Sequence, residues 1–235
     1  MHTREKRDGL AREAYQLATD VWPQYADAHV ALGDLHHRNG RPSKAEASFN
    51  DAVRAAPTDP LAWESLGKHQ LATKHPARAE ITYKRAILKA TNGAQSPGLI
   101  LGLAKAAHAQ GDFAACVGHG ERAANLAPGF GMARHMLGKC KVAAGDTNGG
   151  LEAMKEAARV EPDVMEHHAD LVAVLRGDGQ IAAAMGAIAA GLRALPGDTT
   201  LEMAKLSLQM SHGRAAGGRE GGGGGKGNGG ESSEL

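Results

Sequence analysis

The chain has 235 residues, 42% of them hydrophobic but only 3% aromatic, and its 27 Lys and Arg against 26 Asp and Glu leave a formal net charge of +1. So even a balance excludes a dedicated nucleic-acid binder, which carries a clear basic excess. A core this poor in aromatics must be built from Ala, Leu, Met and Val, which suits closely packed helices better than sheets.

From the N-terminus, "MHTREKRDGL" is charged and is followed by no apolar run, so no secretory signal is visible. No stretch is long and apolar enough to span a bilayer. The expectation is a soluble intracellular protein, cytoplasmic by default, without membrane insertion. Residues 1–25 carry Ala11, Tyr15, Ala18 and Pro23 at helical spacing, the pattern of a single helix.

Five registered segments follow: 26–59, 60–93, 97–130, 131–164 and 165–198, with three extra residues, Ala94 to Ser96, before the third. The seventh position reads Leu32, Leu66, Leu103, Leu137 and Leu171, and the eighth Gly33, Gly67, Ala104, Gly138 and Val172. Later in each segment come Ala45, Ala79, Cys116, Gly150 and Ala184, then Phe49, Tyr83, Gly120, Met154 and Ile188. Apolar residues recur three or four apart in two runs per segment, divided by turn signals such as Asn39-Gly40-Arg41-Pro42 and Gly111-Asp112. Prolines near the segment ends, Pro57, Pro128, Pro162 and Pro196, stop the second run.

Each segment is thus a helical hairpin whose small eighth residue lets the two helices approach. A lone hairpin cannot bury its apolar face, so the hairpins stack. Gly118, Gly120, Gly149 and Gly150 thin the middle hairpins, Gly120 leaving its own underfilled, and the expected hinge lies there. Cys116 and Cys140 are expected as reduced core residues, since two cysteines do not make a disulfide framework. Thr199 onward makes one more helix, a cap over 199–213. Residues 214–235, "RAAGGREGGGGGKGNGGESSEL", have almost nothing apolar and form a disordered Gly-rich tail.

This period and pattern resemble the tetratricopeptide repeat (TPR), most closely in the second segment, where "WESLG" gives Trp63, Leu66 and Gly67, followed in register by Ala79, Tyr83 and Ala86. The third segment is degenerate, and residues 1–25 fit the second half of a repeat whose first half is missing. The resemblance implies an all-α fold, a right-handed α-solenoid of stacked antiparallel hairpins with a concave groove lined by the first helices. Family positions on that groove place Lys68, Lys105 and Lys139 in line at the ninth position, between Asp34 and Ala173. His108 and His135 stand a turn from the last two lysines, and Leu101, Met132 and Met136 offer apolar contact. The asparagines by which some members clamp chaperone C-termini are absent.

The histidine pairs His36-His37 and His167-His168 first suggest a metal, but adjacent helical residues point about 100° apart and no Cys or carboxylate stands beside them at ligand spacing. No metal, no cofactor and no catalytic residue is expected. No nucleophile motif occurs, and the terminal glycines follow no strand. The expected function is a non-catalytic scaffold whose mildly basic groove holds a partner peptide, an acidic one by charge, with no nucleic acid. Two other readings stay open. One is self-association through the uncapped N-terminal end; the other is a TPR portion of a larger assembly or longer enzyme.

Overall fold

The computed structural model describes residues 2–89 and 96–217, and every regular element among these is a helix. The expected Gly-rich tail lies, from residue 218, outside the described residues, as do Ala94 and Gln95 of the three-residue insertion. The chain divides into two compact units after Glu161.

In the first unit α1 (His2–Val21) precedes four hairpins: α2 (Ala26–Arg38) with α3 (Pro42–Ala55), α4 (Pro60–Ala72) with α5 (Pro76–Lys89), α6 (Pro97–Gln110) with α7 (Phe113–Leu126), and α8 (Gly131–Ala143) with α9 (Thr147–Val160). The second unit holds the hairpin α10 (Met165–Gly177) and α11 (Ile181–Ala194), then α12 (Thr199–Gly217). The architecture is an all-α solenoid of helical hairpins. Proline opens α3, α4 and α6 at the first turn, where its missing N–H is no loss. The carboxylates of Asp59, Asp112, Asp146 and Asp198 accept from backbone N–H groups at the starts of α4, α7, α9 and α12.

One turn position repeats five times in the left-handed region. Gly40, Gly111, Gly145 and Gly179 have φ between +66° and +93°, and Lys74 at +61° fills the same place in the second segment. A side chain there costs about 1–2 kcal/mol, which glycine avoids.

Within the first unit each second helix packs on its own first helix, α3, α5 and α7 also pack on the next, and the first helices α2, α4, α6 and α8 touch one another in succession. The second helices are held apart by the first helices between them. Bulky side chains fill the places left by glycines. A Cβ on Gly33 would stand 2.5 Å from the Phe49 ring, one on Gly67 2.4 Å from Tyr83, and one on Gly138 2.6 Å from Met154.

Three expectations are corrected by this packing. Gly120 does not leave its hairpin underfilled: it is buried because the backbone of α8 closes in, with Leu137 Cα 3.1 Å from where its Cβ would be. Gly138 and Gly150 likewise let α8 and α9 meet backbone to backbone, so these glycines mark close contact, and the division of the chain falls after Glu161 instead. Finally, Cys116 of α7 and Cys140 of α8 are disulfide-bonded and wholly buried, not reduced. The approach of α7 to α8 brings their Cα atoms to 5.5 Å, within bonding range.

Candidate partner-binding faces

Lys68, Lys105 and Lys139 sit on α4, α6 and α8, three first helices that lie side by side. Lys68 is 61% exposed and pairs with Glu64 one turn earlier at 2.7 Å, a carboxylate that the register did not single out. Lys105 and Lys139 are half-buried. His108 of α6 is half-buried against Phe113, with ring centres 5.8 Å apart. Its pKa is held below the ordinary histidine value first by burial and then by the Lys139 ammonium, so the imidazole favours its neutral form. Met132 keeps part of its surface, whereas Leu101, His135 and Met136 are buried. The accessible set is therefore Lys68, Lys105, His108, Met132 and Lys139; the other three support it from beneath.

The histidine pairs resolve into packing roles. In four of the five segments the fourth residue donates a hydrogen bond to the carbonyl of the proline six residues earlier, the third segment having Ile100 there. Trp63 Nε1 reaches Pro57 at 2.8 Å, while His29 and His168 Nε2 reach Pro23 and Pro162 at 2.9 Å. Arg134 makes the same bond to Pro128. His and Arg can stand in for Trp because each carries an N–H at the right reach. His167 is buried at the third position, occupied by Ala28, Ala62, Leu99 and Ala133 in the other hairpins.

His37 has a partner that its own segment does not reveal. Its Nδ1 lies 3.1 Å from Nδ1 of His69, one repeat on, with the rings edge to face, and one of the two nitrogens must carry the proton. His69 is buried against Phe49, and burial, then His37, lowers its pKa below the ordinary value. The pair bridges two successive hairpins.

A third surface is the open side of α1. The register residues that are buried in complete hairpins, Phe49 at 2% and Tyr83 at 1%, correspond to Tyr15 at 37%. Leu10, Leu17 and Val21 are exposed beside it, and Trp22 stacks on Tyr25 with ring centres 5.6 Å apart. Among the described residues no helix is long and apolar enough to cross a membrane.

A family model described as "Tetratricopeptide repeat" matches residues 9–60, which span α1 to the start of α4. Residues 9–60 match that repeat family, and the helical hairpins that follow have the same fold. The chain matches no curated protein. Solved structures share its fold at low identity. The thermophilic TPR protein TTC0263 of Thermus thermophilus is 19% identical with a TM-score of 0.65, over 79% of this chain and 99% of that one. The type IV pilus biogenesis factor PilW is 17% identical with a TM-score of 0.68, over 86% and 92%. YrrB, described as a TPR protein with an unusual peptide-binding site, is 15% identical with a TM-score of 0.52, over 83% and 98%. TPR repeats of this kind are in general non-catalytic scaffolds for protein partners.

Proposed function

We propose that this TPR chain is a non-catalytic scaffold that holds a segment of a partner protein on the face formed by α4, α6 and α8. Lys68, Lys105 and Lys139 supply charge for an acidic or carboxylate-ended segment, and Met132 supplies adaptable apolar contact. The observation that carries this reading is geometric: α4, α6 and α8 pack in succession, so their ninth-position lysines stand on neighbouring first helices. A lysine stripe on a face walled by low-dielectric protein concentrates the field on an incoming carboxylate. YrrB, a fold neighbour described as having an unusual peptide-binding site, supports the same class of ligand.

The combined variant Lys68→Glu, Lys105→Glu, Lys139→Glu should stay helical by circular dichroism yet lose the partner that wild type retains in affinity capture from native lysate. Equal capture by both would remove binding from this face.

A second reading rests on the open side of α1, where Tyr15 and its apolar neighbours leave a helix face uncovered. On this reading the chain associates with its own copies through α1. Light scattering should then give a mass that rises with concentration and falls back to the monomer in Tyr15→Asp with Leu17→Asp. A strict monomer at every concentration sinks it.

A further inference from the structure

The second helices are held apart, and between two of them the first unit opens a cleft on the side of α4 away from the lysine stripe. The cleft has a volume of about 720 Å3 and is bounded by α3 and α5, with α4 as its floor. That volume falls in the range of peptide- and ligand-sized sites, roughly 300–1,000 Å3. Trp63 and Leu66 of α4, 6% and 4% exposed, form its largely covered base, and Ile81 of α5, 52% exposed, is its accessible apolar wall. At about 100° per residue, Lys68 points to the opposite side of α4 from Trp63, Leu66 and Gln70, so the two surfaces are separate.

The rim is cationic. Arg54 of α3 and Arg78 and Arg85 of α5 line the cleft, with Asp51 as the lining carboxylate. Arg54 pairs with Asp51, and Arg78 with the half-buried Glu46, both arginines being exposed. Such pairs contribute only about 0–1 kcal/mol, so they exchange readily for a ligand's carboxylates. Arg85 is exposed and has no ion-pair partner among the described residues. Beneath them Thr82 donates to Gln70 at 2.7 Å, a buried bond that closes the base. Three guanidinium forks over an apolar floor match carboxylates set around an apolar side chain, since arginine takes carboxylate oxygens in pairs. A nucleic-acid backbone would satisfy the arginines but leave the floor uncovered.

We propose that this outer cleft binds a short acidic peptide segment of a partner protein, one apolar side chain resting on Trp63, Leu66 and Ile81 and flanking carboxylates on Arg54, Arg78 and Arg85. The site is independent of the lysine face, and a scaffold with both joins two partners or two segments of one.

The test uses the full chain carrying Trp22→Phe, which leaves Trp63 as the one remaining tryptophan of the two and makes its emission a reporter of the cleft. The probe is a blocked synthetic peptide, Asp-Glu-Leu-Glu-Asp. Saturable change in Trp63 emission is expected, weakened roughly tenfold or more by Arg54→Ala with Arg85→Ala, by loss of charge-assisted bonds. Both arginines are exposed, so these variants should keep the wild-type circular dichroism. Replacing the peptide's Leu by Gly should weaken binding comparably, and the triple lysine variant should bind as wild type does. The proposal is overturned by no saturable change, by equal binding in the arginine variant, by loss in the lysine variant alone, or by tighter binding of an oligothymidylate than of the peptide.

Discussion

Tyr83→Ala should destabilise the first unit by about 3–5 kcal/mol, the usual cost of removing a large aromatic side chain from a packed interior. The ring is 1% exposed and lies between two glycines of different repeats: added Cβ atoms on Gly67 and Gly102 would each stand 2.4 Å from it. One side chain thus fills both the hairpin α4–α5 and its junction with α6. Burial, and secondarily the Glu64 carboxylate, push its hydroxyl far above the ordinary tyrosine range, so it stays a neutral core group. In a repeat array stability is a sum of repeat and interface contributions, and losing Tyr83 weakens one of each kind. Urea unfolding should register the loss, and hydrogen exchange should place the gained opening in α4 to α6. Tyr83→Phe, which keeps the ring, should cost far less. A change below about 1 kcal/mol in Tyr83→Ala would mean that the neighbours collapse into the space and that the ring does not anchor the two repeats.

Breaking the Cys116–Cys140 bond should cost about 3 kcal/mol, from the loop-closure entropy of a 24-residue separation. For a unit of this size that corresponds to a fall in midpoint of roughly 6–12 °C. The bond joins the second helix of one hairpin to the first helix of the next, so it holds the junction at which Gly120 replaces a bulky side chain. Both sulfurs are fully buried, and reductant should act slowly in the folded state and quickly after unfolding. Thiol titration in denaturant should find no free thiol in freshly isolated protein, and two after reduction, with the lower midpoint in Cys116→Ala with Cys140→Ala as well. Two free thiols before reduction would overturn the bonded state.

The helical hairpins were legible because two periods coexist in the sequence. Residues three and four apart define each helix, and the recurrence of Leu, Gly and Ala at fixed places in each segment aligns the helices into repeats. The fourth-position role was half legible: His29 and His168 share Trp63's place, but the common carbonyl acceptor at each preceding proline emerges only when the chain turns back on itself. His69 carries no signal in the sequence because its partner His37 is 32 residues away, beyond any helical spacing. In the sequence the candidate face exists only as a set of register positions. Register says which side of a helix a residue occupies but not how deeply it is covered, and Leu101, His135 and Met136 turned out to be buried.

The sequence by itself determined that this chain is a stack of helical hairpins, because helix periodicity, turn glycines and proline stops are local properties that need no partner. Tertiary structure alone decided what the non-repeating residues do. The missing side chain at Gly120 drew α8 toward α7 and brought two cysteines into bonding distance. The separation of α3 from α5 opened a cleft with three arginines on its rim. Both outcomes depend on distances between helices far apart in the chain, which are set by the volumes packed between them and not by the spacing within any one.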